Sequence, residues 1–180
     1  MNLSTLTTLL FSVTLLLSVQ TRALQSKAPQ GECTHPSSQP EASHSRQQSM
    51  MIRGEKGMGF SQMNATHHFL LKPDGGIIAV SANDQGDATT REQIRMHLAH
   101  IAHAFSEGDF DIPMFLHDQI PPGVPVMKRL AKEIHYQSHD TERGGEVSIT
   151  SASPEAVRAI HDFLVFQIRE HKTGDPAAMR

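Results

Sequence analysis

The chain has 180 residues, with 16 basic against 19 acidic side chains and a formal net charge of −3 at pH 7. That balance, with no basic run interleaved with aromatics, excludes a nucleic-acid surface driven by phosphate charge. A single cysteine excludes an internal disulfide, so stability must come from core packing; 12 His and 9 Met, against one Tyr and no Trp, are the compositional anomaly.

The chain opens MNLSTLTTLLFSVTLLLSVQTRALQ. Leu3 to Val19 is apolar or hydroxylic and uncharged, and Thr21-Arg22-Ala23 resembles a small-x-small cleavage site. Residues 1–23 therefore read as a signal peptide cut near Ala23. A retained membrane anchor competes, but the run is short for a span and rich in Ser and Thr. Cleavage removes one basic residue, Arg22, leaving 15 basic and 19 acidic side chains, a net of −4. A periplasmic or secreted protein is expected, with no later segment apolar enough to cross a membrane. Cys33 sits in QGEC, which lacks the small apolar residues of a lipid-attachment site.

Residues 24–57 are dominated by Ser, Gln, Pro and charge and read as a disordered arm. The arm carries soft metal ligands, Cys33 and His35 in CTH, then His44, Met50 and Met51, without preset geometry. A folded domain is expected over 58–175 and a frayed tail over 176–180.

Within the domain, 66–72 (THHFLLK) and 76–82 (GIIAVSA) flank a PDGG turn and predict a hairpin. Thr89 with Glu92 matches a capping box, opening a helix to about Glu107 that Gly108 stops. Ile94, Leu98, Ile101, Ala102 and Phe105 form its apolar stripe. Four prolines in 111–125 predict a largely irregular stretch, followed by a short helix over 125–133. A second hairpin follows, 134–139 and 146–151 about a Gly-Gly turn. Ser153 and Pro154 then open a last helix to about His171. The two halves match in pattern. Together they predict an α+β domain of two layers, a four-stranded antiparallel sheet with helices on one face, built as a ββα-ββα pseudo-repeat.

Histidine carries the candidate chemistry. His67 and His68 are neighbours on a strand and point to opposite faces; both faces look apolar, so periodicity does not choose between them. On the first helix, His97 and His100 lie beside the apolar stripe and His103 continues round, with three-residue spacings that bring successive rings within reach of one ion. A solvated His-rich face is the competing reading. His161 falls in the middle of the last helix's apolar face (Val157, Ile160, Leu164, Val165, Ile168). It reads either as a core histidine bonded to backbone or as a ligand or acid/base group.

The expected metal set is His67 or His68, His97, His100 and His161, then Met58, Cys33 and His35, with copper before zinc as the ion, in a homeostasis or carrier role. Coordination needs neutral imidazoles, so binding is expected to weaken as pH falls through about 6. A metal-free binding module is the alternative, with structural or pH-sensing histidines and an open sheet face for another exported protein or a second copy. A small enzyme using His161 or His97 as general base is a third. GxSxG, SxxK and P-loop patterns are absent, and adjacent pairs such as His117-Asp118 are not preorganised by sequence. Asn64-Ala65-Thr66 fits the N-glycosylation pattern.

From MGF at 58–60 through THHFLL, PDGG, REQIRMHLAHIA, PPGVPVMKRL and AIHDFL to HKTGD, the chain resembles a family of small exported bacterial proteins. The resemblance implies a periplasmic or secreted setting and brings no established mechanism. Some members carry an aspartate carbamoyltransferase name. This chain is far shorter than that enzyme's two-domain fold and lacks its STRT-type phosphate loop, and HPSSQ at 35–39 matches its HPxQ motif only superficially. That activity is therefore not expected.

Overall fold

Two hairpins make the sheet. Strand β1 (Ala65–Lys72) pairs antiparallel with β2 (Gly75–Ala82), and β3 (Ile134–Thr141) with β4 (Gly144–Ser151). β2 and β4 also pair antiparallel, giving the order β1-β2-β4-β3. The computed structural model describes residues 40–179, and side chains from Ser45 onward apart from Arg46. These residues belong to one compact unit, Ser38–Arg180. The helices are α1 (Pro40–Met58), α2 (Ala88–Ser106), α3 (Asp111–His117), α4 (Val124–Arg129) and α5 (Pro154–His171). The architecture is the expected α+β one. No helix among the described residues is long and apolar enough to cross a membrane.

The register decides which side chains face the helices. Phe69 lies opposite Ile78, Ile78 opposite Val147, and Tyr136 opposite Ile149. Phe69, Ile78, Val147 and Ile149 are buried under the helices. The other parity, in the row His68, Ala79, Glu146, His139, forms the opposite face. His67 shares a face with Phe69 and so joins the core side, while His68 does not.

The two helices cross over between the halves. α2 follows β1 and β2 but packs chiefly on β3 and β4; α5 follows β3 and β4 and packs on β1 and β2. Each helix also anchors the other half's turn. Arg95 of α2 donates to the carbonyls of Thr141 (2.6 Å) and Gly144 (3.0 Å). His161 of α5 places Nε2 2.9 Å from the Lys72 carbonyl and 3.0 Å from that of Gly75. Both partners are acceptors, so Nε2 must carry the proton. Between the helices Phe105, Phe110 and Phe163 meet, with Phe105 and Phe110 stacked at 4.3 Å. Full burial of such a side chain stabilises by about 1.5–3 kcal/mol.

Three expectations differ from the structure. Residues 40–57, expected within a disordered arm, are helical to Met58 and pack on α3. The face that docks is Met50, Gly54 and Met58, spaced four apart and buried; a Cβ on Gly54 would lie 3.3 Å from Leu116. Tertiary docking, not propensity, holds this helix. Within 111–125, two prolines sit in the first turns of α3 and α4, where a missing N–H leaves no bond unmade. The N-cap of α2 is Asp87, not Thr89: its Oδ1 accepts the Thr90 N–H at 2.9 Å, and Glu92 pairs with Arg95. The signal-peptide reading falls on residues outside those described.

After α5, Lys172 turns into the left-handed region (φ 53°) and the chain doubles back along β1. Asp175 Oδ2 accepts the Phe69 N–H at 2.9 Å, while Oδ1 lies 2.9 Å from His68 Nδ1. β1 is an edge strand, so this carboxylate occupies a backbone donor that no neighbouring strand reaches.

Candidate functional site

The densest chemistry lies at the end of the helix layer, beside β1. Strand alternation places His67 on the core face between Phe60 and Phe69. Its ring stacks on Phe60 (centroids 6.1 Å) and Phe69 (6.4 Å). His97, one residue before Leu98 of the α2 apolar stripe, meets Phe60 edge-on at 5.7 Å. His171, in the last turn of α5, stacks on His67 at 5.3 Å with 28° between planes. Behind it stands His117 of α3, edge-on to His171 at 5.3 Å. The result is a belt of imidazoles and phenyl rings.

His67, His97 and His171 border a cavity of about 60 Å³, together with Met58, Gln167 and apolar side chains from the sheet, α2 and α3. Among the described residues, none of these three rings makes a hydrogen bond. Burial is the main electrostatic influence on them. It holds His67 down at about 4, reinforced by His68, and His97 at about 4, reinforced by His67 and His100. His171 lies at about 3 through burial, then His67 and His117. All three are therefore neutral at pH 7, each with one unprotonated ring nitrogen available as ligand or acceptor.

His117 is different. Its side chain is fully buried, and Nε2 lies 2.9 Å from Gln167 Oε1. Its Nδ1 and the Gln167 amide nitrogen are both buried with no partner. Burial lowers the His117 pKa, opposed by Gln167 and by Glu170 at 4.0 Å, while Arg53 adds to the lowering.

Of the residues expected at a metal site, the structure brings together Met58, His67 and His97. His68 faces the other way and pairs with Asp175, with 48 % of its side chain exposed. His100 is exposed on α2. His161 is not mid-core: it sits half-buried at the β1–β2 turn, bonded to backbone. Cys33 and His35 lie outside the described residues. Among the described residues, no three His, Cys, Asp or Glu side chains are grouped to close on one ion as they stand. His171 and His117 were not singled out by sequence reasoning as ligands. Only the i+4 step from Gln167 to His171 hinted that α5 ends on the same face.

The arrangement offers uncharged soft and borderline donors in apolar surroundings, and no carboxylate inside the cavity. No family model matches the chain, and neither a curated protein nor a solved structure matches it.

Proposed function

We propose that this is an exported binding protein that takes up a soft transition-metal ion, copper(I) before zinc, at the cavity bordered by Met58, His67, His97 and His171. The observation carrying the reading is that three neutral imidazoles without hydrogen-bond partners share one apolar cavity with a thioether. Copper(I) accepts a small number of neutral nitrogen and sulfur donors, and its single charge is less costly to bury than a dication. Zinc favours four ligands, commonly including thiolate or carboxylate, which the cavity lacks. His67 and His171 are stacked, so ligation requires at least one ring to turn.

Because burial already keeps these rings neutral, proton competition belongs near pH 4, not at the pH of about 6 expected for free imidazoles. The test is metal content by elemental mass spectrometry on protein purified without a histidine tag, then titration with copper(I) against a chromogenic chelator. Near-stoichiometric copper is expected in wild type and in His100→Ala/His161→Ala. It is expected to be lost in His67→Leu/His171→Leu. Copper retained in that double variant would rule out this site.

A second reading rests on the Gln167 amide nitrogen, a buried donor with no partner in the same cavity wall. It favours a metal-free pocket for a small, mostly apolar molecule bearing one acceptor. Absence of copper in every sample, with thermal stabilisation by such molecules lost in Gln167→Leu, would select it.

A further inference from the structure

An ion bound in the cavity needs a way in, and the lining residues show where it lies. Most of them are buried; His67, His97, Ile112 and His171 reach the surface. His67 and His171 are stacked on each other, with Phe60 against His67. His97 is the donor with further soft donors beside it on its own helix. Met96 is 66 % exposed, and His100 and His103 are exposed as well. Among the described residues, the Met96 and His100 side chains make no hydrogen bond, ion pair or ring contact.

Helical geometry makes His100 the link. Residues three and four apart are neighbours on a helix surface, with Cβ atoms about 5–6 Å apart, whereas residues one apart do not face each other. His100 is therefore next to both Met96, four residues back, and His97, three residues back, although those two diverge. Side chains on a helix lean toward its N-terminus, so His100 leans over the turn that carries both. The nearness has an electrostatic trace: His100 helps to lower the His97 pKa, after burial and His67. An imidazole and a thioether at this spacing suit copper(I), which accepts a small number of neutral soft donors. Two exposed donors hold the ion weakly, and the cavity offers more of them in apolar surroundings.

We propose that Met96 and His100 form an exposed landing site that takes copper(I) from its donor and passes it through His97 into the cavity, an inference that rests on the copper reading of that cavity. Copper stays in the +1 state throughout. At each step one bond to a thioether sulfur or an imidazole nitrogen forms as one to the previous ligand breaks. The ion moves from its donor to Met96 and His100, from His100 to His97, and from there to the set completed by His67, His171 and Met58. Met96 and His100 are a route and not part of the resting site, so they set the rate of exchange and leave the affinity unchanged. A lowered barrier speeds entry and exit by the same factor.

The test uses the full chain, without oxygen and near neutral pH, with copper(I) supplied as its bicinchoninate complex and uptake followed by the loss of that complex's colour. Met96→Leu/His100→Leu should load about tenfold more slowly than wild type and release copper to excess chelator more slowly by the same factor, with Kd within about twofold. His135→Leu/Met179→Leu removes one exposed histidine and one exposed methionine elsewhere, and should exchange at the wild-type rate. Unchanged rates in Met96→Leu/His100→Leu overturn the route while the copper reading stands, as does equal slowing in the control or a weakened Kd at an unchanged loading rate. A wild-type chain that takes up no copper overturns the copper reading and the route with it. The landing site also has a readout of its own. In His67→Leu/His171→Leu, which lacks the cavity site, the Met96 methyl and His100 ring resonances should still shift saturably with copper(I) by NMR, and absence of those shifts overturns the proposal.

Discussion

At the scale of single residues, the half-buried imidazoles tie stability to pH. His67, His97 and His171 titrate at about 4, 4 and 3 in the fold, against about 6.5 when the chain is unfolded. Below 6.5 the unfolded chain takes up protons that the fold refuses. Their contribution is therefore complete above about pH 6.5 and is lost as pH falls toward 4, by on the order of 1–3 kcal/mol per imidazole. Urea midpoints measured from pH 7.5 down to 4.5 should drop steeply, and His171→Leu should flatten the curve. A midpoint independent of pH across that range would contradict a belt of imidazoles held neutral. Glycines supply a second contrast. Gly123 has φ +82° and a Cβ there would lie 2.0 Å from the Ala159 carbonyl oxygen, whereas Gly108 has φ +77° in open space. Gly108→Ala should cost about 1 kcal/mol from backbone strain alone, and Gly123→Ala clearly more, or prevent folding. Thermal melts of the two variants compare them directly. The sequence made His67 and His97 visible as candidates because each lies one step from a clear apolar stripe. It could not choose His67 over His68, since Leu70 made the solvent face of β1 look as apolar as the core face. For His161 the reading of a backbone-bonded histidine holds, but the five apolar neighbours on its helical wheel placed it too deep in the core. The structure instead uses its ring N–H to hold a turn.

Among the elements, hairpins and long helices were legible from alternation, Gly turns and 3.6-residue stripes. α1 was not, because its buried face uses Gly54 with two methionines, and no propensity scale counts glycine as a helix signal. Its docking is testable. Gly54→Leu should break the contact with Leu116 and Gln62 and free α1, seen as loss of amide-exchange protection over 45–58 with α2 and α5 unchanged. The C-terminal return is the other element with a definite role. Several influences act on Asp175: burial raises its pKa, and bonds from Thr173, Phe69 and His68 lower it further than that, for a net lowering. The stability it supplies is present above the unfolded carboxyl value of about 3.9 and disappears as pH falls through the lower folded value. Asp175→Ala should cost about 1–2 kcal/mol at pH 7, measured by urea unfolding, because a charged acceptor leaves the Phe69 N–H. The difference between this variant and wild type should shrink as pH falls below about 3.9.

For the molecule as a whole, the core has no half that stands alone. Phe163→Ala, at 1 % exposure among three rings and both long helices, should cost about 3–5 kcal/mol and lower the single unfolding transition seen by fluorescence of the lone Tyr136 and by far-UV circular dichroism alike. Separate transitions from the two probes would show that the halves unfold independently. The crossing of α2 over β3–β4 and α5 over β1–β2 governs how the chain reaches this state during synthesis. A nascent chain that has released everything up to Glu107 owns a hairpin and a helix that meet only along a minor part of α2, at β2. Its apolar stripe waits for β3, β4 and α5, so collapse is deferred until α5 has left the ribosome. Cut between the repeats, near Gln119, the two pieces should remain unstructured apart and restore the sheet on mixing, each lending its helix to the other.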